Sequence, residues 1–164
     1  SRWMIARFAS ATAHPVCSAV ALANLAIIQR EKLVDHVRDT AGPYLQKRWA
    51  ELADHPLVGE ARGVGLLGAL ELVKAKAPRS GTDPRQVPYG VAPPGHTWFE
   101  PRGKVGERCR DNAIANGLVM RATRDTMIIA PPLVITPAEI DELVEKARRT
   151  LDMTFSGLKQ DGWL

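Results

Sequence analysis

Apolar residues recur at helical spacing near the start of the chain. Residues 15–33 are rich in alanine and begin with Pro15, a residue favoured in the first turn of a helix. Five apolar residues share one side of this pattern: Val16, Val20, Ala23, Ile27 and Ile28. A second apolar stripe follows: Val37, Ala41, Tyr44, Leu45, Trp49 and Leu52. The spacing predicts a first helix that its neighbours largely bury, and a second helix that Gly42 and Pro43 kink or restart.

The longest helical pattern lies near the other end of the chain. The sequence TPAE matches a capping box, in which Thr136 caps the helix, Pro137 is its first residue and Glu139 bonds back to the cap. The residues that follow form one continuous apolar stripe: Ile140, Leu143, Val144, Ala147, Leu151, Phe155 and Leu158. This pattern predicts a long amphipathic helix. A shorter helix over 105–115 should end at Asn116 and Gly117, a usual left-handed terminator.

Two other stretches alternate between their faces as β-strands do. In residues 66–73, Leu, Gly, Leu and Leu alternate with Leu, Ala, Glu and Val. In residues 118–123 the alternation places Arg121 on the more polar face, and Arg124 and Asp125 form a tight hairpin to a partner strand. The predicted order is helix, helix, strand, strand, loop, helix, strand, strand, helix. This order is typical of an α+β fold with a mainly antiparallel sheet covered by helices.

A glycine pattern beside the first strand admits a second interpretation. Gly63, Gly65 and Gly68 satisfy G-x-G-x-x-G, and Asp83 lies about twenty residues beyond. A phosphate-binding loop of this kind must follow a strand and open a helix. Here the glycines precede an alternation typical of a strand, which favours a strand with a tight corner at residues 63–65. A dinucleotide site, or a helix over the same residues, stays open as an alternative.

Composition narrows the possible functions. The chain has 164 residues, of which 45% are hydrophobic and 24% charged, as in ordinary globular domains. Its 22 basic and 18 acidic residues are interspersed and only 5% of residues are aromatic, so the net charge of +4 does not predict nucleic-acid binding. The two cysteines and four histidines lack the spacing of a disulfide framework or a metal site. No apolar run is long enough to span a membrane, and we expect a cytoplasmic setting.

One long segment shows neither helical nor strand periodicity. Residues 78–101 contain half of the 12 prolines, which predicts a long loop or a disordered insert with few apolar anchors. The opening residues, SRWMIARFASATA, faintly resemble a transit peptide, but we interpret them as the cut edge of a longer protein. The predicted organisation is an N-terminal edge followed by helices over 1–55, and an α+β domain over 56–164.

Several stretches together resemble the C-terminal portion of class III (omega) aminotransferases, pyridoxal-phosphate-dependent enzymes of fold type I. The resemblance covers most of the chain, in the family's order, and is closest to omega-amino-acid–pyruvate and beta-alanine–pyruvate transaminases. The matching pieces are AHPVCSAVALANLAIIQREKL, GPYLQKRW, HPLVGEARGVGLLGALELV, CRDNAIANGLVMRA and DTMIIAPPLVITPAEIDELVEKARRTL. The resemblance implies that residues 56–164 are the family's small domain, that the helices of 1–55 join it to the large domain, and that the glycine stretch is strand.

The resemblance also implies where substrate and cofactor bind. The family's carboxylate-binding arginine lies in the motif LIMRA, which is LVMRA here, so its counterpart is Arg121. Paired guanidinium donors suit a carboxylate, although the residues alone would favour a salt-bridged surface arginine. A threonine of the family's motif FTYSGHP binds the cofactor phosphate across the dimer interface. Matching ASATAHP without a gap places Ser10 at that threonine and Thr12 at the following serine; as a residue, Ser10 could equally be part of a terminal loop.

The function implied by the resemblance is transfer of an amino group from an omega-amino acid or amine to pyruvate or another keto acid. The implied cofactor is pyridoxal 5'-phosphate, and the implied assembly is a homodimer. The family's Schiff-base lysine lies upstream of this segment, and none of the seven lysines here sits in its context. We therefore expect no catalytic residue in this segment and no activity from the chain alone. A non-catalytic α+β subunit-interaction module is the alternative, and a dinucleotide-binding domain is a third hypothesis.

Overall fold

The computed structural model describes residues 14–76 and 96–164. Four consecutive helical segments come first: α1 (Pro15–Arg30), the short α2 (Leu33–His36), a π-helical turn (Val37–Ala41) and α3 (Gly42–Ala50). A 3₁₀ turn, Glu51–Asp54, ends this region. A kink or restart of the helix was predicted at Gly42 and Pro43. The π-helical turn, which ends immediately before Gly42, confirms it. A side chain at Gly42 would collide with the Val37 carbonyl oxygen and crowd Gly65, so only glycine fits there.

Four strands and two further helices follow among the described residues. The strands are β1 (Val58–Val64), β2 (Leu67–Leu72), β3 (Arg121–Thr123) and β4 (Thr126–Ile129). They form one antiparallel sheet in the order β1-β2-β4-β3. The helices are α4 (Lys104–Ala115) and α5 (Pro137–Gln160). This arrangement confirms the α+β class and the predicted order of the helices and strands; most of the predicted loop lies outside the described residues.

The three glycines of the G-x-G-x-x-G pattern lie in the β1–β2 hairpin. Gly63 pairs with Gly68 across the two strands, and Gly65 occupies the turn with a φ of 55°. The dinucleotide alternative is therefore wrong, because the glycines open no helix whose amides could face a phosphate. Packing explains the glycine at position 68 instead, because a Cβ there would come within 2.9 Å of the Trp49 indole nitrogen.

The helices cover one face of the sheet. Leu45 and Trp49 of α3 and Leu151 of α5 are at most 1% exposed. They belong to one hydrophobic core cluster that also contains the inward residues of β2 and β4. The capping box at Thr136 and Glu139 is present, with both of its hydrogen bonds. The predicted stripe of α5 is confirmed: five of its residues are buried, and Leu143 and Phe155 pack at the edge. Thr150 and Thr154, which the apolar pattern missed, are also buried and donate to backbone carbonyls one turn earlier.

Two expectations need correction. The predicted helix α1 is present, but none of its residues is buried, since the described part of the chain packs nothing over its apolar side chains. Val16 and Val20 are each 63% exposed. The second correction concerns the end of the segment predicted to have few apolar anchors. Phe99 is 1% exposed in the core, and Thr97 pairs with Ala75 in an isolated bridge. Residues 78–95 of that segment lie outside the described ranges.

Candidate functional site

Arg121, the predicted carboxylate-binding residue, lies on the face of the sheet opposite to the helices. Alternation along β3 turns Ala122 toward the core and leaves Arg121 and Thr123 exposed. The sheet register continues this row across the strands: Arg121 is opposite Ile128 of β4, which is opposite Ala69 of β2, which is opposite Arg62 of β1. Arg121 thus stands at the edge of an outer face that the described helices leave open.

The two arginines of this row differ in their partners. Arg62 forms ion pairs with Glu60 and, at 3.3 Å, with Glu71 of the neighbouring strand. Arg121 makes no ion pair with any described residue, so the surface salt bridge that its residue type alone would favour is not formed in this part of the chain. Its planar set of donors therefore remains available for an anion, and a carboxylate matches that geometry.

A strained turn connects β3 to β4. Arg124 adopts a φ of 52°, a left-handed conformation that glycine reaches more easily than a residue with a side chain. The next residue, Asp125, is 1% exposed although it is charged. Its carboxylate accepts hydrogen bonds from the backbone amides of Gly103 and Gly106 at the start of α4, at 2.9 and 3.0 Å. From the sequence, Asp125 was predicted only as part of a hairpin turn, although two glycines at the start of a helix indicate that the helix amides need an acceptor from elsewhere.

The remaining predicted site residues are Ser10 and Thr12, and both lie outside the described ranges. All seven lysines are described, and none is buried. Lys104 and Lys146 pair with glutamates of their own helices, Lys76 donates to the Ala53 carbonyl, and Lys159 lies over the Phe155 ring. The described residues therefore provide no enclosed amine or phosphate cradle, and they do not by themselves fit pyridoxal phosphate.

The described residues were also compared with the requirements of a membrane span and of a metal site. No helix among these residues is long and apolar enough to cross a membrane. Within the same residues, no three side chains of His, Cys, Asp or Glu lie together in a group that could hold a metal ion.

The chain belongs to the class III aminotransferases. The profile of that family, Aminotransferase class-III, matches residues 10–151, which include the four described strands and most of α5. The described helices and four-stranded antiparallel sheet match an α+β part of solved transaminases. Enzymes of this class depend on pyridoxal 5'-phosphate, and their substrates are amino donors and keto acids.

Individual relatives agree with this assignment. The putrescine–pyruvate aminotransferase of Pseudomonas aeruginosa is 52% identical over 145 residues, which are 88% of this chain and 28% of that protein. The diaminobutyrate–2-oxoglutarate transaminase of Halomonas elongata is 38% identical over 91% of this chain and 29% of its own length. The omega transaminase from Pseudomonas jessenii in complex with PMP superposes with a TM-score of 0.70 at 35% identity, over 89% of this chain and 28% of that one. The chain therefore spans less than a third of the length of these relatives.

Proposed function

We propose that this chain forms the C-terminal, small-domain part of a pyridoxal-phosphate-dependent transaminase that uses pyruvate or another keto acid as amino acceptor. The amino donor is an omega-amino acid or an amine. The family membership supports the reaction class, and the 52% identical relative from Pseudomonas aeruginosa, a putrescine–pyruvate aminotransferase, supports a pair of an amine donor and pyruvate. The cofactor supplies the chemistry of amino-group transfer, and the residues of this segment hold the substrate.

Arg121 is the residue that carries this proposal. It lies on the open face of the sheet, it makes no ion pair with a described residue, and its donors suit a carboxylate. Pyruvate has a carboxylate, as do omega-amino acids, whereas a plain diamine has none. We infer that Arg121 binds the carboxylate of the acceptor and is not used by a diamine donor.

The helices at the start of the chain support the proposed organisation. We infer that helices within residues 1–55 join the small domain to a large domain, because α1 is apolar on several sides and none of its residues is buried. A helix of this kind is stable in water only when other elements cover it. Ser10 and Thr12 precede α1, and as hydroxyl donors to the cofactor phosphate across a homodimer interface they are part of the same proposal.

The decisive experiment separates the two half-reactions of the enzyme. This chain replaces the matching segment of the Pseudomonas aeruginosa relative, which gives a hybrid aminotransferase. Arg121→Ala is then introduced into this hybrid. Charge-assisted paired hydrogen bonds contribute about 1.5–3 kcal/mol, so the half-reaction with pyruvate should weaken by roughly ten- to a hundredfold. The half-reaction with putrescine, which has no carboxylate to bind, should change much less. Single-turnover rates of the two half-reactions, followed by the cofactor absorbance, measure both effects.

Arg62→Ala is the matched control, because Arg62 stands in the same cross-strand row but is held by Glu60 and Glu71. It should alter both half-reactions alike. Equal losses in both half-reactions for Arg121→Ala would mean that this arginine is structural. A hybrid that folds and dimerises but transfers no amino group would favour the alternative, a non-catalytic subunit-interaction module.

A further inference from the structure

Arg121 stands on an element that is weakly held by its own pairing. β3 has three residues, lies at the edge of the sheet and pairs only with β4 among the described strands. Short edge strands with one hydrogen-bonded neighbour open readily compared with central strands. A binding residue at this position therefore requires that something else fix the β3–β4 hairpin.

The carboxylate of Asp125 supplies such a connection at the hairpin turn. The N-cap residue of α4 is Gly103 and its third helical residue is Gly106. In a capping box, the side chains of these two positions satisfy each other's backbone amides. Glycines have no side chain for this purpose, and Asp125 accepts from both amides instead, at 2.9 and 3.0 Å. One carboxylate thus performs both halves of a capping box from a hairpin distant in sequence, and its negative charge faces the positive end of the helix dipole.

Further contacts hold the same turn from three sides. The backbone oxygen of Asp125 accepts a hydrogen bond from the Leu72 amide of β2 at 2.9 Å. Arg102 Nε lies 3.3 Å from the Asp125 carboxylate, and the Arg102 guanidinium stacks 3.5 Å from the centre of the Trp98 ring. A Cβ at Gly106 would collide with the carbonyl oxygen of Arg124, so helix and turn are in direct backbone contact. The turn is therefore fixed to the sheet, to α4 and to the segment that precedes α4.

We propose that Asp125 is the positioning residue for Arg121 and thereby sets the affinity for the substrate carboxylate. The inference rests on the proposed function of Arg121. Asp125 is buried and does not contact substrate; it acts by holding the turn that follows β3, four residues after Arg121. Displacement of a binding group by about 1 Å can reduce a rate by as much as a hundredfold, so a loosened hairpin weakens the contact that Arg121 makes.

The test uses Asp125→Asn, which keeps the size of the side chain but replaces one acceptor oxygen with a donor that faces the Gly103 or Gly106 amide. The matched control is Asp111→Asn, the same chemical change on the exposed surface of α4. In the 164-residue chain, hydrogen exchange of the β3 and β4 amides should accelerate for Asp125→Asn and remain unchanged for the control. In the hybrid aminotransferase, the KM for pyruvate should rise roughly tenfold, while the putrescine half-reaction changes less than about twofold.

A double variant distinguishes positioning from a general structural role. If Asp125 acts through Arg121, then Asp125→Asn adds little to the loss of pyruvate affinity once Arg121→Ala is present. Additive losses, equal losses in both half-reactions, or unchanged exchange in β3 would each overturn the inference. If Arg121→Ala is selective for pyruvate but Asp125→Asn is not, only this inference fails. If Arg121→Ala is not selective, the proposed function fails with it.

Arg102→Gln provides a milder variant, in case Asp125→Asn prevents folding. It removes the ion pair but leaves both backbone contacts of Asp125 intact. It should raise the KM for pyruvate in the same direction by a smaller factor, about two- to fivefold. A folded Arg102→Gln enzyme with unchanged KM, together with a misfolded Asp125→Asn enzyme, would show that Asp125 maintains the fold only and would overturn the inference.

Discussion

Helices α1 and α5 were predicted by the same kind of pattern, yet they have opposite environments. α5 has 24 residues, a capping box and a stripe of buried side chains against the sheet and α3. α1 has 16 residues, no side-chain cap at His14 and no buried residue. Both are helical, so the apolar spacing and Pro at the first turn are sufficient for the local conformation. Burial is a different property, because it depends on what packs against the helix.

The composition of the two helices explains the difference. α5 alternates its apolar stripe with charged residues, which is the pattern of a helix covered on one side only. α1 has apolar residues on several sides, and Leu22 and Leu25 are 68% and 54% exposed. It packs mainly against α2 within the described chain. The comparison indicates that α5 stabilises the described fold through its own buried stripe. The apolar surface of α1 adds to the free energy of unfolding only when another element covers it.

The largest effect is expected from leucine truncations in the two helices. Leu151→Ala in α5 removes a fully buried side chain and leaves a cavity, so the free energy of unfolding should fall by about 2–5 kcal/mol. Leu25→Ala in α1 removes a half-exposed side chain and should change the free energy of unfolding by less than about 0.5 kcal/mol. Urea unfolding of the 164-residue chain measures both.

The same pair of variants shows whether a further part of the protein covers α1. In the hybrid aminotransferase, Leu25→Ala should become destabilising, because its side chain is then buried. An equally small effect of Leu25→Ala in the chain and in the hybrid would contradict the interdomain role that we propose for α1. A large effect in the isolated chain would show that α1 is covered without any additional domain.

The second prediction compares the two cysteines, one in each environment. Cys17 lies exposed on α1, whereas Cys109 of α4 is buried in the core. Burial raises the pKa of the Cys109 thiol from 9.0 to about 11, although a hydrogen bond with Thr154 opposes the shift. Because the thiolate is the nucleophile, this shift alone lowers the reactivity of Cys109 about a hundredfold, and burial lowers it further.

A chromogenic thiol reagent at neutral pH should therefore modify one cysteine of the folded chain quickly and both cysteines in urea. Cys17→Ser should abolish the fast phase, and Cys109→Ser should leave it intact. Protection of Cys17 in the hybrid aminotransferase, but not in the isolated chain, would support coverage of α1. Fast modification of Cys109 in the folded chain would contradict the packing of α4 against α5.

The elements that local pattern determines were predicted well from the sequence. The capping box at Thr136, the left-handed Gly117 after α4 and the alternation in β2 depend on neighbouring residues alone. The β1–β2 turn was predicted at 63–65, two residues too early at its start, because three glycines offered several positions for a corner. The strand ends and the positive φ of Gly65 place the turn at residues 65–66.

The contacts that the sequence did not predict join residues that are distant along the chain. Asp125 meets Gly103 and Gly106 across the hairpin and α4, and no local pattern identifies which acceptor will serve two glycine amides. Phe99 was assigned to a loop because its neighbours are prolines and polar residues, but a single aromatic side chain is enough to anchor a segment in a core. The role proposed for Arg121 came from a family resemblance, since its exposed position would otherwise indicate an ordinary surface arginine.

The smallest effect is expected from a histidine that contacts α5. His55 is buried, its Nδ1 accepts the Leu57 amide at 3.1 Å, and its Nε2 lies 3.3 Å from Asp152 of α5. Burial lowers the pKa of His55 below its usual value of 6.5; Asp152 opposes this shift, while Arg148 and Lys76 add to it. The folded chain therefore binds fewer protons at this site than the unfolded chain. It follows that the contribution of His55 to stability is present above pH 6.5 and is lost as the pH falls below that value.

His55→Gln should reduce this dependence, because glutamine can still accept the Leu57 amide but does not titrate. The measurement is urea unfolding at several pH values between about 7.5 and 5, with the slope of unfolding free energy against pH compared between variants. His14→Gln at the exposed start of α1 is the control for replacing a histidine outside the core. Protonation on Nδ1 would also break the hydrogen bond from Leu57, so the loss should coincide with faster hydrogen exchange at the start of β1. A slope unchanged by His55→Gln would mean that Asp152 offsets the effect of burial, so that α5 holds this histidine equally well in its charged and neutral forms.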